Sequence, residues 1–367
     1  MELREPVGIV ASVVPTRPSY YSRRVSKNAV RTVISVALMA LLLAVFFWNV
    51  DLDEVKRALE QANLGLILAA AATALVSYWF RAIRWQLILR PVGHVRHLSA
   101  VLATAVGYAA MTLLPARMGD LIRPLVLSRR ERIPFSATLA SIFTERLFDL
   151  WTVVLFFLFF VIWPPEMAAL DEQARRNLDI LSLSGYLLGA GLVIGTLVLL
   201  GLFRYQDRFI ALMTTPIGLI RESWKQPVAN FLGHFLDGLR VLQRPRDLIV
   251  TLVASIVTWY VIYWQVRFTL LAFGVDLPLR VNYFLVTLSV IGLAIPTPGG
   301  IGGMHKAMQL GLTVFFAVDL NTATAIAIVY HAICFVPITI IGLLCLPIFG
   351  LKLERVDAPA LEDGGPS

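Results

Sequence analysis

Apolar runs of membrane-spanning length recur along the chain, at residues 31–50, 64–89, 135–163, 183–203, 248–273 and 322–346. A spanning helix needs ~20 mostly apolar residues. These runs therefore commit the chain to helices buried in lipid as well as in one another. The fold class predicted is an all-α polytopic membrane protein with about six full spans. Composition agrees: 58% of residues are hydrophobic and 15% charged, against roughly 45–50% and 25% in a soluble domain. The formal charge of +8 would suit nucleic acid, but the basic residues sit at the ends of apolar runs, where they set orientation. No nucleic-acid partner is expected. Cys334 and Cys345 fall on one run, roughly 16 Å apart along a helix axis, too far to pair. The N-terminus does not read as a signal peptide, because a long mixed segment precedes the first apolar run.

Charge at the run ends predicts the topology. Arg17, Arg23, Arg24, Lys27 and Arg31 precede the first run and place a basic tail, residues 1–28, in the cytoplasm. A loop with Asp51, Asp53, Glu54 and Glu60 follows. The second span ends in Arg81, Arg84, Arg90 and Arg96, again cytoplasmic. Residues 97–132 read "HLSAVLATAVGYAAMTLLP" and then "ARMGDLIRPLVLSRRER", with 98–128 the segment in question. As a simple span this would carry Arg129, Arg130 and Arg132 outside. A re-entrant hairpin turning near Pro115–Gly119 keeps them in the cytoplasm. Broken backbone is tolerated at membrane depth where it lines protein or a cavity.

The same grammar returns later. Segment 204–246 is basic and cytoplasmic, and its stretch "PVANFLGHFLDGLRVLQ" has helical apolar spacing suited to the membrane surface. Residues 281–318 form a second hairpin, entering from outside. Its turn, "IPTPGGIGG", holds Pro296, Pro298, Gly299, Gly300 and Gly302. The chain thus divides into halves, about 31–163 and 183–347, each ordered span, span, hairpin, span. This predicts an inverted-topology repeat, a plan many transporters share. Residues 29–350 form the membrane domain, and 351–367 a disordered cytoplasmic tail.

Ionisable residues at membrane depth are costly and are functional candidates by default. Arg117 and Arg123 bracket Asp120 at the first hairpin tip. Two guanidiniums can clamp a phosphate there while Asp120 orients one of them; the bland reading is an ion pair pinning the hairpin. Glu145, Arg146 and Asp149 form a second cluster. Glu145 and Asp149 share a helix face and can receive an arginine or a cationic head group, or serve as interhelical glue. Arg81 and Arg84, beside Trp79, Phe80 and Trp85, guide a head group or simply snorkel in an aromatic belt. In the second half the polar candidates are Arg267, His305, Lys306 and His331. His305 and Lys306 follow the glycine-rich turn, where helix N-termini favour anions. No Walker loop, H-E-x-x-H, G-x-S-x-G or cysteine cluster occurs, so no catalytic residue, metal or cofactor is expected.

The motifs "RAIRWQLIL", "PARMGDLIRPLVLSRRERIPFSATLASIFTERLFD" and "PTPGGIGG", in that order, resemble the membrane domain of the lysylphosphatidylglycerol synthase/flippase family over roughly residues 30–350. In the first half the matching positions are Arg81, Arg84, Trp85, Pro115, Arg117, Gly119, Asp120, Arg123, Glu145, Arg146 and Asp149. In the second they are Pro298, Gly299, Gly300 and Gly302. The resemblance implies a protein of the bacterial inner membrane that handles or flips a lipid, often an aminoacylated or glycosylated one. Two departures matter. Bifunctional members carry a C-terminal aminoacyl-transferase domain absent from these 367 residues, so lysyl transfer is not expected. Members also commonly place a glutamate where this sequence has His305.

Two functions follow. The first is a lipid flippase or transporter whose hairpins shield an anionic or modified phospholipid head group. The second is a membrane subunit of lipid modification or glycosylation, partnered by a lipid-modifying enzyme or glycosyltransferase.

Overall fold

The computed structural model describes residues 21–114, 117–163 and 172–349. The tails and Pro115 lie outside the described residues. All regular structure described is helical: α1 (Tyr21–Phe46), α2 (Leu52–Gln61), α3 (Leu64–Leu89), α4 (His97–Leu113), α5 (Gly119–Glu131), α6 (Phe135–Ile162) and α7 (Glu172–Arg204), then α8 (Gln206–Ile220), α9 (Glu222–Gly238), α10 (Pro245–Ala272), α11 (Val281–Ala294), α12 (Gly303–Phe316) and α13 (Leu320–Cys345). The chain is an all-α membrane protein. Three segments, Leu64–Leu89, Pro245–Ala272 and Leu320–Phe349, are long and apolar enough by themselves to cross a membrane.

Both segments read as hairpins are broken helices. α4 gives way to extended backbone at Leu114, and α5 starts at Gly119. α11 stops at Ala294, a short turn spans Pro298–Gly300, and α12 begins at Gly303. With 14 residues, α11 rises about 21 Å, short of the ~30 Å hydrocarbon core. The two limbs of each pair lie against each other.

Helix contacts follow a two-fold pattern. α3 packs along α10 as the most extensive pair. The α4–α13 contact has its counterpart in α11–α6, and the α5–α6 contact in α12–α13. Each hairpin thus packs on the last long helix of the opposite half. The main core gathers around Phe160, Phe284, Val266, Leu270, Met308 and Ile326, all buried, from α6, α11, α10, α12 and α13.

Several local readings change. The acidic stretch after α1 is not a plain loop but contains α2. Asp51 caps it by accepting from the Asp53 and Glu54 amides, and Asn321 Oδ1 accepts from the Asp51 amide. Its short length hid it from a search for long apolar runs. The fifth run begins at Glu172 rather than 183, because the polar residues ahead of it simply continue α7. The amphipathic stretch breaks at Gly238 into a short turn, Arg240–Gln243. Its end is docked on α6: Gly238 is so close that a Cβ would strike the Ala137 carbonyl, and Leu236 and Leu239 pack with Ala140.

Candidate functional site

On α3, Arg81 and Arg84 lie three residues apart and share a face that the close α3–α10 packing turns inward. Arg84 is fully buried. It donates to Asp149 Oδ1 at 2.6 Å and to Ser255 Oγ at 3.2 Å, and its other terminal nitrogen is 3.1 Å from Glu145. Glu145, also fully buried, receives Arg123 from α5 at 2.9 Å. The Arg123 guanidinium lies 4.0 Å from the centre of the Trp85 ring, whose indole donates to Ser141 Oγ. Trp259 of α10 donates to Asp149 Oδ1 at 2.9 Å. Arg146 completes the cluster, reaching Asp120 Oδ1 at 3.0 Å and Asp149 Oδ2 at 3.3 Å. One network therefore ties together α3, α5, α6 and α10. Buried ions persist when each charge is paired; Arg84 and Glu145 are, though Arg84 Nε and Nη2 and Glu145 Oε2 make no hydrogen bond.

Above this network lies a cavity of about 340 Å³, bounded by α3, α4, α6, α10, α11, α13, Met304 and Arg117. That is within the usual range for small-molecule sites. One end is charged, with Arg81, Arg117, Arg146 and Asp149; Tyr108, Gln265, Ser289 and Tyr330 add polar groups. Other walls are apolar, with Leu150, Val153, Val290 and Leu293. The α6–α11 seam is closed at one end by Phe160 on Phe284 and Phe156 on Tyr283. Further along the same helices, Leu150 and Ala294 line the cavity yet remain exposed.

Two of the cavity's guanidiniums are weakly held. Arg81 is only 9% exposed, and its ion pair with Asp149 is stretched to 3.9 Å. The Arg81 guanidinium sits 5.7 Å from the Tyr108 ring centre and 5.5 Å from that of Trp259. Arg117 has no ion pair among the described residues. Its backbone takes φ +56°, a left-handed conformation that costs a non-glycine residue roughly 1–2 kcal/mol.

The expected clamp is thereby corrected. Of the two arginines, only Arg117 lines the cavity. Arg123 is buried against Gly107 of α4 and held by Glu145. Asp120 orients Arg146, not Arg117 or Arg123. Arg81, Arg117, Arg146 and Asp149 meet at the cavity, while Arg84, Arg123 and Glu145 lie in the network behind it. The second-half candidates do not join them. Arg267 is pinned to the loop after α10 by Asp276 at 2.6 Å and the Leu277 carbonyl. Lys306 donates to Gln309. His305 stacks on His331, ring centres 4.3 Å apart. His331 Nε2 bonds the Gly299 carbonyl, and the Gly302 amide donates to His305 Nδ1; the pair braces the glycine turn. The sequence reading missed Tyr108, Trp259, Gln265 and Tyr330. The available signal was polar or aromatic residues recurring within otherwise apolar runs, as Trp259 and Gln265 do on α10.

The model of the lysylphosphatidylglycerol synthase TM region matches residues 32–342. The glycosyltransferase AglD of Haloferax volcanii is 26% identical over 352 residues, covering 90% of this chain and 56% of that protein. The chain thus spans little more than half the length of that relative. The UPF0104 membrane protein MJ1078 of Methanocaldococcus jannaschii is 25% identical over 233 residues, covering 63% of this chain and 90% of that protein. The chain belongs to the lysylphosphatidylglycerol synthase TM region family.

Proposed function

We propose that this protein binds a membrane lipid by its phosphate-bearing head group and carries it between leaflets. The observation that supports this is the cavity. Guanidiniums and apolar side chains both line it, and two of its lining residues, Leu150 and Ala294, are exposed. A phosphate held by arginines inside would leave its acyl chains in lipid. The two broken-helix pairs, packed each on the opposite half, fit an inverted repeat whose halves rock about a fixed site. In this reading both termini are cytoplasmic and the chain resides in the inner membrane. The turns at Gly119 and at Pro296, Pro298, Gly299, Gly300 and Gly302, with Pro115 of the motif, let the chain reverse there.

The test is reconstitution into liposomes carrying a fluorescent phospholipid, with quencher added outside. Faster loss of inner-leaflet fluorescence than in protein-free liposomes is expected, and Ser289→Trp, which fills the cavity, should abolish it. Equal rates with and without protein would overturn the reading.

The similarity to AglD favours one second reading, a membrane component of lipid glycosylation. It requires a partner that supplies sugar transfer. Sugar transfer to lipid that needs both this chain and an added glycosyltransferase with its nucleotide sugar, without lipid movement between leaflets, would replace the transport reading.

A further inference from the structure

The cavity's charges do not cancel. Arg81, Arg84, Arg117, Arg123 and Arg146 face Asp120, Glu145 and Asp149. Five cations meet three anions, so two positive charges are unmatched. Geometry assigns them. Glu145 is engaged by Arg84 and Arg123. Asp120 is taken by Arg146, and the two Asp149 oxygens by Arg84, Trp259 and Arg146. The arginines left over are Arg81, whose ion pair with Asp149 is stretched to 3.9 Å, and Arg117. Both line the cavity. Unmatched charge in a low-dielectric setting is costly, and a ligand that neutralises it gains accordingly.

Resting on the lipid-binding reading above, we propose that the cavity selects a head group with two negative charges, a phosphomonoester or a diphosphate, over a phosphodiester. A phosphomonoester carries about −1.5 to −2 at pH 7 and offers three acceptor oxygens. Arg81 and Arg117, both on the cavity lining, supply forked donors suited to several oxygens at once. A phosphodiester has one charge and leaves one arginine unmatched. A head group bearing an added cation, such as an aminoacylated one, leaves more positive charge still. The preference thus departs from the substrate that the family's name evokes.

The experiment is native mass spectrometry of the full purified chain at pH 8. The probes are dioleoyl phosphatidic acid, dioleoyl phosphatidylglycerol and dioleoyl phosphatidylcholine, with inorganic pyrophosphate as a competitor. Phosphatidic acid should bind about tenfold or more tighter than phosphatidylglycerol, the ratio one further neutralised charge is expected to give at minimum. Arg117→Asn should bring the two lipids to equal affinity. Asparagine tolerates the left-handed backbone there and Arg117 holds no ion pair, so the variant is expected to fold; an unchanged melting temperature checks this. Equal binding of the two anionic lipids, both above phosphatidylcholine, overturns the two-charge preference and leaves lipid binding standing. No preference among the three overturns both. Pyrophosphate that phosphatidic acid cannot displace supports the two-charge preference but transfers it to a soluble ligand, overturning the lipid reading. Retention of the full selectivity by a folded Arg117→Asn overturns the assignment of the second charge.

Discussion

Gly292 and Gly303 touch backbone to backbone: a Cβ on either would run into the carbonyl oxygen of the other. The first hairpin has the same device, where Gly119 abuts the Gly107 carbonyl. Small residues let membrane helices approach this closely. Gly303→Val and Gly119→Val should each force the limbs apart, costing about 1–3 kcal/mol of stability or more. Gly191→Ala, with no atom within 4 Å of the new Cβ, is the control and should be neutral. Thermal melting of the purified variants checks this. Wild-type melting of Gly303→Val would mean that the limbs are not in contact.

The second turn has a separate backbone requirement. Gly299, Gly300 and Gly302 hold φ +58°, +69° and +86°. Gly299→Leu and Gly300→Leu should leave insertion intact and abolish transport, each straining the turn by about 1–2 kcal/mol. Leucine at 300 also meets Leu293, and at 299 it meets Thr112. Yield in the membrane fraction and the liposome assay separate the two effects. Full transport by both variants would make the turn a tolerant loop.

The ion network predicts unequal losses. Arg84→Leu leaves Glu145 with Arg123 alone and removes the closest cation of Asp149, at a cost approaching the about 3–5 kcal/mol typical of a buried pair broken on one side. The Arg146–Asp120 pair is more open, with both side chains about a third exposed, and Asp120→Asn should cost about 1 kcal/mol or less. Chemical or thermal denaturation of the two variants gives the comparison. Similar losses for both would mean that water reaches Glu145.

The two-sided arrangement predicts opposite accessibility. With Cys334 and Cys345 replaced, a cysteine at Arg129, exposed near the end of α5, should label only from the cytoplasm. One at Asp276, exposed after α10, should label only from outside. Labelling of both from the same face would refute the re-entrant path of the first hairpin.

Much of the fold was legible because membrane burial imposes a one-dimensional rule. A run such as 64–89 must be helical wherever it packs, and α3 matches it end to end. "PTPGG" likewise has to break a helix, since proline lacks the amide and glycine admits positive φ. Charged residues inside such runs also announce themselves, so Arg84, Glu145 and Asp149 were visible as candidates.

Their pairing was not visible. Arg84 meets Asp149 across 65 residues of chain, and Trp259 reaches the same carboxylate across 110; no local periodicity encodes which of two carboxylates an arginine chooses. The sequence also placed Arg117 and Arg123 together by proximity. Close packing of α5 on Gly107 buried Arg123, whereas the left-handed turn left Arg117 on the cavity wall. Sequence determined that the chain is a bundle of apolar helices, two of them broken, with charges held at depth. Tertiary structure alone decided which charges cancel and which face the cavity, because that depends on the angles and separations at which distant helices pack.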